Sequence, residues 1–182
     1  MSGGLTLLIG GARAGKSDVA MSLASRAGAA VTFVATARAS DEEMAERIRR
    51  HRADRPSGWS TIEEPLDLED ALERAGDRAT TIVDCLTLWV SNLLEDGCDD
   101  DEVVARAERA AERARDRAGA TIAVTNEVGA GIVPMHPLAR RYRDLLGRVN
   151  AIWSVRASRA VLVVAGRVVP LADPSTLEAG GG

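Results

Sequence analysis

The chain contains one lysine among its 23 lysine and arginine residues, and it lies in a glycine-rich segment near the amino terminus. Residues 10–17 fit the pattern G-x-x-x-x-G-K-[ST]. In this pattern backbone N–H groups surround nucleotide phosphates, the lysine reaches the β and γ phosphates, and the hydroxyl, here that of Ser17, binds Mg²⁺. Because arginine is used at every other basic position, Lys16 is predicted to be catalytic. The predicted phosphate-binding residues are Gly10, Gly11, Ala12, Arg13, Ala14, Gly15, Lys16 and Ser17.

His51 is the candidate nucleophile. Four arginines flank it in the sequence, Arg49, Arg50, Arg52 and Arg55. Cationic neighbours disfavour an imidazolium ion, which leaves the ring neutral and nucleophilic, and they can bind the phosphates of a nucleotide under attack. The sequence therefore permits a phosphorylated or nucleotidylated histidine intermediate. A histidine packed near a helix carboxyl terminus is the alternative that the pattern leaves open.

Polar residues also follow two predicted strands. Asp84 ends an apolar run. A Walker B acid, which holds Mg²⁺ through water, has the same position in its strand. Asp84 could instead cap the next helix. Asn126 and Glu127 begin a glycine-bearing loop at the end of a later strand. Ligands of open α/β sheets bind along that edge, so both residues are candidates for substrate or metal contact; a structural turn is the alternative.

Apolar runs typical of buried strands alternate with helical patterns along most of the chain. This alternation predicts an α/β fold with a mainly parallel, P-loop NTPase-like sheet flanked by helices. Gly166 and the apolar run after it predict a carboxyl-terminal hairpin with one antiparallel edge strand. The predicted strands are 5–9, 31–35, 80–84, 120–125 and 160–165. The predicted helices are one directly after the glycine-rich segment, one within 40–56, and 86–94, 101–118 and 137–158.

Local signals refine these helices. Ser40 and Glu43 fit a capping box, and Pro56 is expected to stop the helix that carries His51. The acidic run 99–101 is expected to cap helix 101–118. The other histidine, His136, precedes a helix and is expected to have a capping or loop role.

Length and composition limit the class of protein. The 182 residues, 46% hydrophobic and 27% charged, predict one domain over 1–175 and a frayed tail over 176–182. The net charge of −4 argues against nucleic-acid binding. Because no leader pattern and no apolar run of about 18 residues is found, we expect a cytoplasmic protein without a membrane anchor. Cys85 and Cys98 have no metal-binding spacing and are expected to be reduced, without an assigned chemistry.

The ordered motifs resemble those of the bifunctional adenosylcobinamide kinase and adenosylcobinamide-phosphate guanylyltransferase family of cobalamin biosynthesis. The resemblance covers nearly the whole chain, and the set of blocks is far more specific than any one block. The blocks are residues 10–17, Ala35-Thr36-Ala37, Ile48-Arg49-Arg50-His51 with Arg55-Pro56, Trp59, Thr61 and Glu63, residues 84–94, Thr125-Asn126-Glu127-Val128-Gly129 with residues 131–134, and Gly147-Arg148-Val149-Asn150.

This resemblance implies two reactions. ATP or GTP would phosphorylate adenosylcobinamide. GMP from GTP would then pass through a guanylylated His51 to adenosylcobinamide phosphate, giving adenosylcobinamide-GDP and pyrophosphate. The resemblance also implies a homo-oligomer, a trimer, with active sites near subunit contacts. Its implied nucleotide contacts beyond residues 10–17 are Ala35, Thr36, Ala37, Arg52, Ala53, Asp54, Arg55, Glu63 and Asp84.

The chain departs from the family pattern at three positions. Ala14 replaces a frequent Ser, Asp84 stands where some members have Glu, and Ala151 follows Asn150 where Gln is common. Two other functions stay open on the residues alone. One is a P-loop kinase for another small alcohol, with a structural His51. The other is a nucleotide-binding switch or assembly ATPase without a small-molecule acceptor.

Overall fold

A mostly parallel seven-stranded sheet organises residues 3–176, the part of the chain that the computed structural model describes. Six α-helices and a final 3₁₀ turn connect and flank the strands. In chain order the elements are β1 (Gly4–Gly10), α1 (Lys16–Arg26), β2 (Val31–Ala35), α2 (Glu42–Ala53), β3 (Ser60–Glu63), α3 (Leu68–Arg74), β4 (Thr80–Asp84), α4 (Leu86–Glu95), α5 (Asp100–Asp116), β5 (Ala120–Asn126), α6 (Pro137–Arg156), β6 (Arg159–Val164) and β7 (Arg167–Leu171).

The strand order is β3-β2-β4-β5-β1-β6-β7, and every neighbouring pair is parallel except β6 with β7. The predicted α/β class, its five predicted strands and the antiparallel edge hairpin are therefore confirmed. The central strands are buried on both faces, and β2 has no exposed residue. This burial explains why their sequences are continuous apolar runs rather than alternating ones.

Two apolar layers cover the two faces of the sheet. The larger layer packs α3, α4, α5 and α6 around the fully buried Trp89 and Trp153. The smaller layer packs α1 through Ala20 and Ala24 against β-strand side chains such as Phe33. Helix α2 belongs to neither layer, since none of its residues is buried. The helix that carries His51 is therefore placed at the sheet edge without a buried apolar face.

The structure corrects the predicted start of α2. Asp41, rather than Ser40, is the N-cap residue, and its Oδ1 accepts a hydrogen bond of 2.7 Å from the Met44 N–H. The predicted capping box of Ser40 and Glu43 is therefore wrong, because the first helical turn begins one residue later. The helix ends at Ala53, before Pro56.

Two short elements, β3 and α3, were not predicted. Strand β3 has four residues and none of them is buried, so it lacks the apolar run that marks the other strands. Helix α3 has seven residues, too few for a clear helical period. Strand β3 completes the edge of the sheet beside β2, with which it pairs in parallel, and α3 packs in the larger apolar layer.

The termini of α5 and α6 match the expected caps only in part. Asp99 caps α5 through a 2.8 Å hydrogen bond that its Oδ1 accepts from Glu102 N–H, as predicted. His136 occupies the N-cap position of α6, but its side chain makes no capping bond within the described chain. Thr176 ends the 3₁₀ turn Pro174–Thr176, and the rest of the predicted tail, 177–182, lies outside the described residues. No helix within residues 3–176 is long and apolar enough to cross a membrane.

The Asp99 cap makes a stability prediction. Asp99→Ala is expected to lower the free energy of unfolding by about 1 kcal/mol, because the Glu102 N–H loses its acceptor. Asp101→Ala is the matched control, since it removes the same charge from the same helix end at an exposed residue that accepts no capping bond. Urea unfolding at one protein concentration measures both. Equal losses for the two variants would show that the cap contributes nothing beyond its charge.

Candidate active site

A cavity of about 570 Å³ opens at the carboxyl ends of the parallel strands. Its walls come from the glycine-rich loop after β1, the ends of β2, β3, β4 and β5, and one face of α2. Most of the predicted site residues line this one cavity. They are Ala12, Arg13, Ala14, Gly15, Lys16, Ser17, Ala35, Ala37, His51, Arg52, Asp54, Arg55, Glu63, Asp84 and Asn126.

The glycine-rich loop folds around the Lys16 side chain. The Lys16 ammonium donates hydrogen bonds to the carbonyls of Gly10, at 3.0 Å, and Gly11, at 2.6 Å. Burial lowers the pKa of Lys16 from its ordinary value, while the nearby Cys85 and Asp84 act in the opposite direction. Gly15 is the N-cap of α1 and adopts a left-handed φ of 92°, which favours glycine. The amino terminus of α1 and a single buried ammonium thus face the same space, an arrangement suited to phosphate.

The carboxyl-terminal hairpin supports this loop from behind. Gly166, in the turn between β6 and β7, donates its N–H to the Ala14 carbonyl at 2.8 Å. A Cβ on Gly15 would lie 3.2 Å from the Gly166 Cα, so the two backbones are in close contact. The loop conformation is therefore held by the last strands of the chain as well as by its own glycines.

Two side-chain oxygens that could bind a metal ion meet at the floor of the cavity. The Ser17 hydroxyl donates to Asp84 Oδ2 at 3.1 Å. Burial raises the pKa of Asp84, and this rise is opposed first by the Ser17 hydrogen bond and then by His51, Arg55 and Lys16. The pair fits a Mg²⁺ site that nucleotide oxygens and waters complete. Residues 3–176 hold no cluster of three or more His, Cys, Asp or Glu side chains that could bind a metal.

Buried polar groups join the strand ends that carry these residues. Thr36 Oγ1 donates to the Cys85 carbonyl and accepts from the Cys85 N–H, both at 2.8 Å. Asn92 Nδ2 then donates to the Thr36 carbonyl at 2.7 Å. Because these bonds connect β2 with the start of α4, they hold Asp84 in position. The Thr36 side chain is fully buried and does not line the cavity, and its hydrogen bonds support the strand ends that form the site.

A second polar chain orients Asn126. Thr87 Oγ1 accepts the Asn126 N–H at 2.8 Å, and Asn150 Nδ2 donates to the Asn126 carbonyl at 3.0 Å. The Asn126 side chain is left to line the cavity. Its neighbour Glu127 lies outside the lining, and its carboxylate accepts a hydrogen bond from the Gly129 N–H, which shapes the following loop.

The opposite wall of the cavity is basic. His51 is an exposed side chain on the cavity face of α2. Arg52 pairs with Glu63 at 3.1 Å. Arg55 lies 3.7 Å over the centre of the Phe33 ring and donates to Thr61 Oγ1 at 3.3 Å. Burial lowers the pKa of the Arg55 guanidinium. A histidine and several cations therefore face Lys16 and Asp84 across one space.

A few predicted residues lie outside the cavity lining, and sequence reasoning missed others inside it. Gly10 and Gly11 act through their carbonyls on Lys16, and Ala53 is absent from the lining. The missed residues are Asp18, Phe33, Ala39, Met44, Arg47, Ile48, Cys85, Leu88 and Val124. The α2 members among them, Met44, Arg47 and Ile48, share the cavity face of the helix with His51 by helical spacing.

Cys85 is a cysteine that lines the cavity. Burial, followed by the charge of Asp84, raises the pKa of its thiol to about 11. The thiol is therefore protonated near neutrality, whereas the thiolate is the reactive form. Burial also raises the pKa of Cys98. Cys85 and Cys98 are both free cysteines.

Solved structures of other proteins share the fold of this chain. A protein of Pyrococcus horikoshii aligns with a TM-score of 0.57 at 6% identity, covering 93% of this chain and 86% of that one. An ATPase from the type III secretion system of pathogenic bacteria aligns with a TM-score of 0.57 at 12% identity, covering 88% and 51%. At such identities the likeness concerns the fold alone, which is P-loop NTPase-like.

Comparison of sequences places the family. A family model described as cobinamide kinase / cobinamide phosphate guanyltransferase matches residues 6–171. The bifunctional adenosylcobalamin biosynthesis protein CobP of Pseudomonas aeruginosa is 44% identical, over 91% of this chain and 95% of its own length. CobU proteins of the same description from Escherichia coli and Salmonella typhimurium are 37% and 40% identical, each over 89% of this chain and 96% of its own length.

The residues that the family model matches include nearly all of the strands and the whole cavity lining described above. The chain therefore belongs to the cobinamide kinase / cobinamide phosphate guanyltransferase family and is a bifunctional kinase and guanylyltransferase of cobalamin biosynthesis.

Proposed function

We propose that this enzyme phosphorylates adenosylcobinamide with ATP or GTP. It then transfers GMP from GTP to adenosylcobinamide phosphate through a guanylyl-histidine at His51, giving adenosylcobinamide-GDP and pyrophosphate. The observation that carries the proposal is that Lys16, Ser17 and His51 line a single cavity. With a volume of about 570 Å³, the cavity has room for one nucleoside triphosphate, which both reactions would use.

In the kinase reaction the acceptor hydroxyl attacks the γ-phosphorus and releases its proton to solvent. The bond to the oxygen that bridges the β and γ phosphates breaks, and the nucleoside diphosphate leaves with that electron pair. Negative charge on the phosphoryl oxygens would be stabilised by Lys16 and by the N–H groups of residues 10–17. Ser17 and Asp84 would hold Mg²⁺, which neutralises phosphate charge when bound. Asn126, at the same edge, is the proposed contact to the acceptor. The acceptor is the larger molecule and would extend beyond the cavity.

In the guanylyl transfer a lone pair of His51 attacks the α-phosphorus of GTP. A phosphorus–nitrogen bond forms, the bond to the oxygen that bridges the α and β phosphates breaks, and pyrophosphate leaves with that electron pair. An oxygen of adenosylcobinamide phosphate then attacks the same phosphorus, and the imidazole leaves. The covalent intermediate lets two anionic reactants enter the site in turn.

The remaining nucleotide contacts are proposed from the cavity walls. Ala35 and Ala37 approach the nucleotide from the β2 end, Asp54 and Arg55 from the end of α2, and Glu63 from β3. Arg52 would act together with Glu63 as an ion pair. Thr36 and Ala53 would contribute by their backbone or by position, because neither belongs to the lining.

The histidine intermediate has a direct test. Wild-type protein incubated with Mg²⁺ and GTP labelled on the α-phosphate should acquire acid-labile, alkali-stable label, because a phosphorus–nitrogen bond forms at His51. His51→Asn should acquire none. His136→Asn, the chain's other histidine, is the matched control and should label like the wild type. Unlabelled wild type that still binds nucleotide would leave a simple kinase for a small alcohol as the better account.

We expect that arginine cannot replace Lys16 without loss of kinase activity. Lys16→Arg is expected to lower kcat/KM of the kinase reaction by about 100-fold or more, although the charge is kept. The ammonium lies within 3.0 Å of two loop carbonyls in a buried position, where a planar guanidinium does not fit. Arg26→Lys, the reverse exchange at the exposed end of α1, should leave the rate unchanged. Full activity of Lys16→Arg would contradict this role.

We further propose that the protein is a homotrimer. Val168 and Val169 on β7 are about half exposed, at 51% and 52%, and Ile132 is 97% exposed. Exposed apolar groups and an outer strand edge are features that subunit contacts cover. Light scattering should give three times the chain mass of 19.2 kDa. A monomeric or dimeric mass would refute the trimer.

A further inference from the structure

Helix α2 carries four arginines, and the structure divides them between two faces. Arg49 and Arg50 lie outside the cavity and pair with Glu46, at 2.6 Å and 3.5 Å. Arg47 and Arg52 line the cavity with His51. Position on the helix, rather than the number of arginines in the sequence, therefore decides which of them can reach a ligand.

The arginines that face the cavity differ in the partners that they already have within the chain. Arg52 is paired with Glu63, and Arg55, which follows the helix, is stacked on Phe33. Within the described chain, Arg47 has neither an ion-pair partner nor an aromatic ring beneath it. Among residues 3–176 no carboxylate oxygen lies within 4.0 Å of its guanidinium, the distance that defines a salt bridge. A cavity-facing guanidinium without an internal counter-ion is available to an anion from outside the chain.

Arg47 is also one helical turn before His51. Residues four apart on a helix lie on the same face, with Cβ atoms about 5–6 Å apart. Helical side chains lean toward the amino terminus, so the imidazole of His51 leans toward the turn that carries Arg47. A phosphorus atom bonded to His51 would therefore lie within reach of the Arg47 guanidinium.

We propose that Arg47 is a further catalytic residue of the guanylyl transfer, and that it binds the non-bridging oxygens of the α-phosphoryl group while that group moves to and from His51. This inference rests on the guanylyl-histidine reaction proposed above. As the phosphorus–nitrogen bond forms and pyrophosphate leaves, charge on those oxygens would meet two N–H donors of one planar guanidinium. In the second step the acceptor oxygen attacks the same phosphorus, the phosphorus–nitrogen bond breaks and the imidazole leaves. The same contact would stabilise the charge on the non-bridging oxygens in that step.

The test measures both half-reactions of the full-length protein. In rapid-quench experiments with α-labelled GTP, Arg47→Gln should form the adduct about 100-fold more slowly than wild type. Adduct isolated from the same variant should pass its label to adenosylcobinamide phosphate more slowly by a similar factor. Arg49→Gln, on the outer face of the same helix, is the matched control and should behave as wild type in both steps.

Arg47→Lys separates chemistry from folding. It keeps the charge but loses the paired donors, so its rates should lie between those of wild type and Arg47→Gln, while the thermal midpoints of all four proteins agree. Arg47→Gln with rates equal to Arg49→Gln would overturn the inference. So would a defect in adduct formation alone, since it would place Arg47 on the departing pyrophosphate. Absence of label in wild type would instead remove the proposed function itself.

Discussion

The site depends on one buried positive charge. Lys16 is 8% exposed and its ammonium is held by two carbonyl oxygens of its own loop, an environment that lowers its pKa. A cation removed from water is stabilised by an anion that arrives with the ligand, and phosphate supplies that charge. The left-handed Gly15, the start of α1 and the contact with Gly166 all serve to hold the loop in the shape that keeps this charge in place.

The two walls of the cavity are built differently. The phosphate wall rests on the centre of the sheet, where the strand ends are joined by buried polar groups such as Thr36 and Asn92. The basic wall is α2, which has no buried residue and faces the cavity with Arg47, His51 and Arg52 as well as with the apolar Met44 and Ile48. A fixed phosphate cradle opposite a charged helix suits the proposed reactions, in which two different phosphorus atoms of a nucleotide meet two nucleophiles.

Features formed by neighbouring residues could be predicted from the sequence, whereas features that depend on how distant parts of the chain pack could not. The phosphate loop and the five predicted strands are local signals, because each consists of neighbouring residues with one physical requirement. Strand β3 is short and half-exposed, so nothing in its composition marks it. Asp41 replaced Ser40 as the cap because both residues can accept the capping bond, and only the backbone decides between them. Likewise, the separation of Thr36 from the cavity and the inclusion of Arg47 follow from packing and helix phase, which a run of similar residues hides.

The central claim is that one cavity binds the nucleotide for both reactions. The most direct measurement is competition: the rate of His51 guanylylation by GTP, followed at increasing concentrations of an ATP analogue with a non-hydrolysable γ-phosphate. A shared cavity predicts strictly competitive inhibition, with an inhibition constant equal to the Kd of the analogue measured by direct binding. Guanylylation that proceeds at full rate when the analogue saturates its site would contradict the claim, because the two reactions would then use separate nucleotide sites.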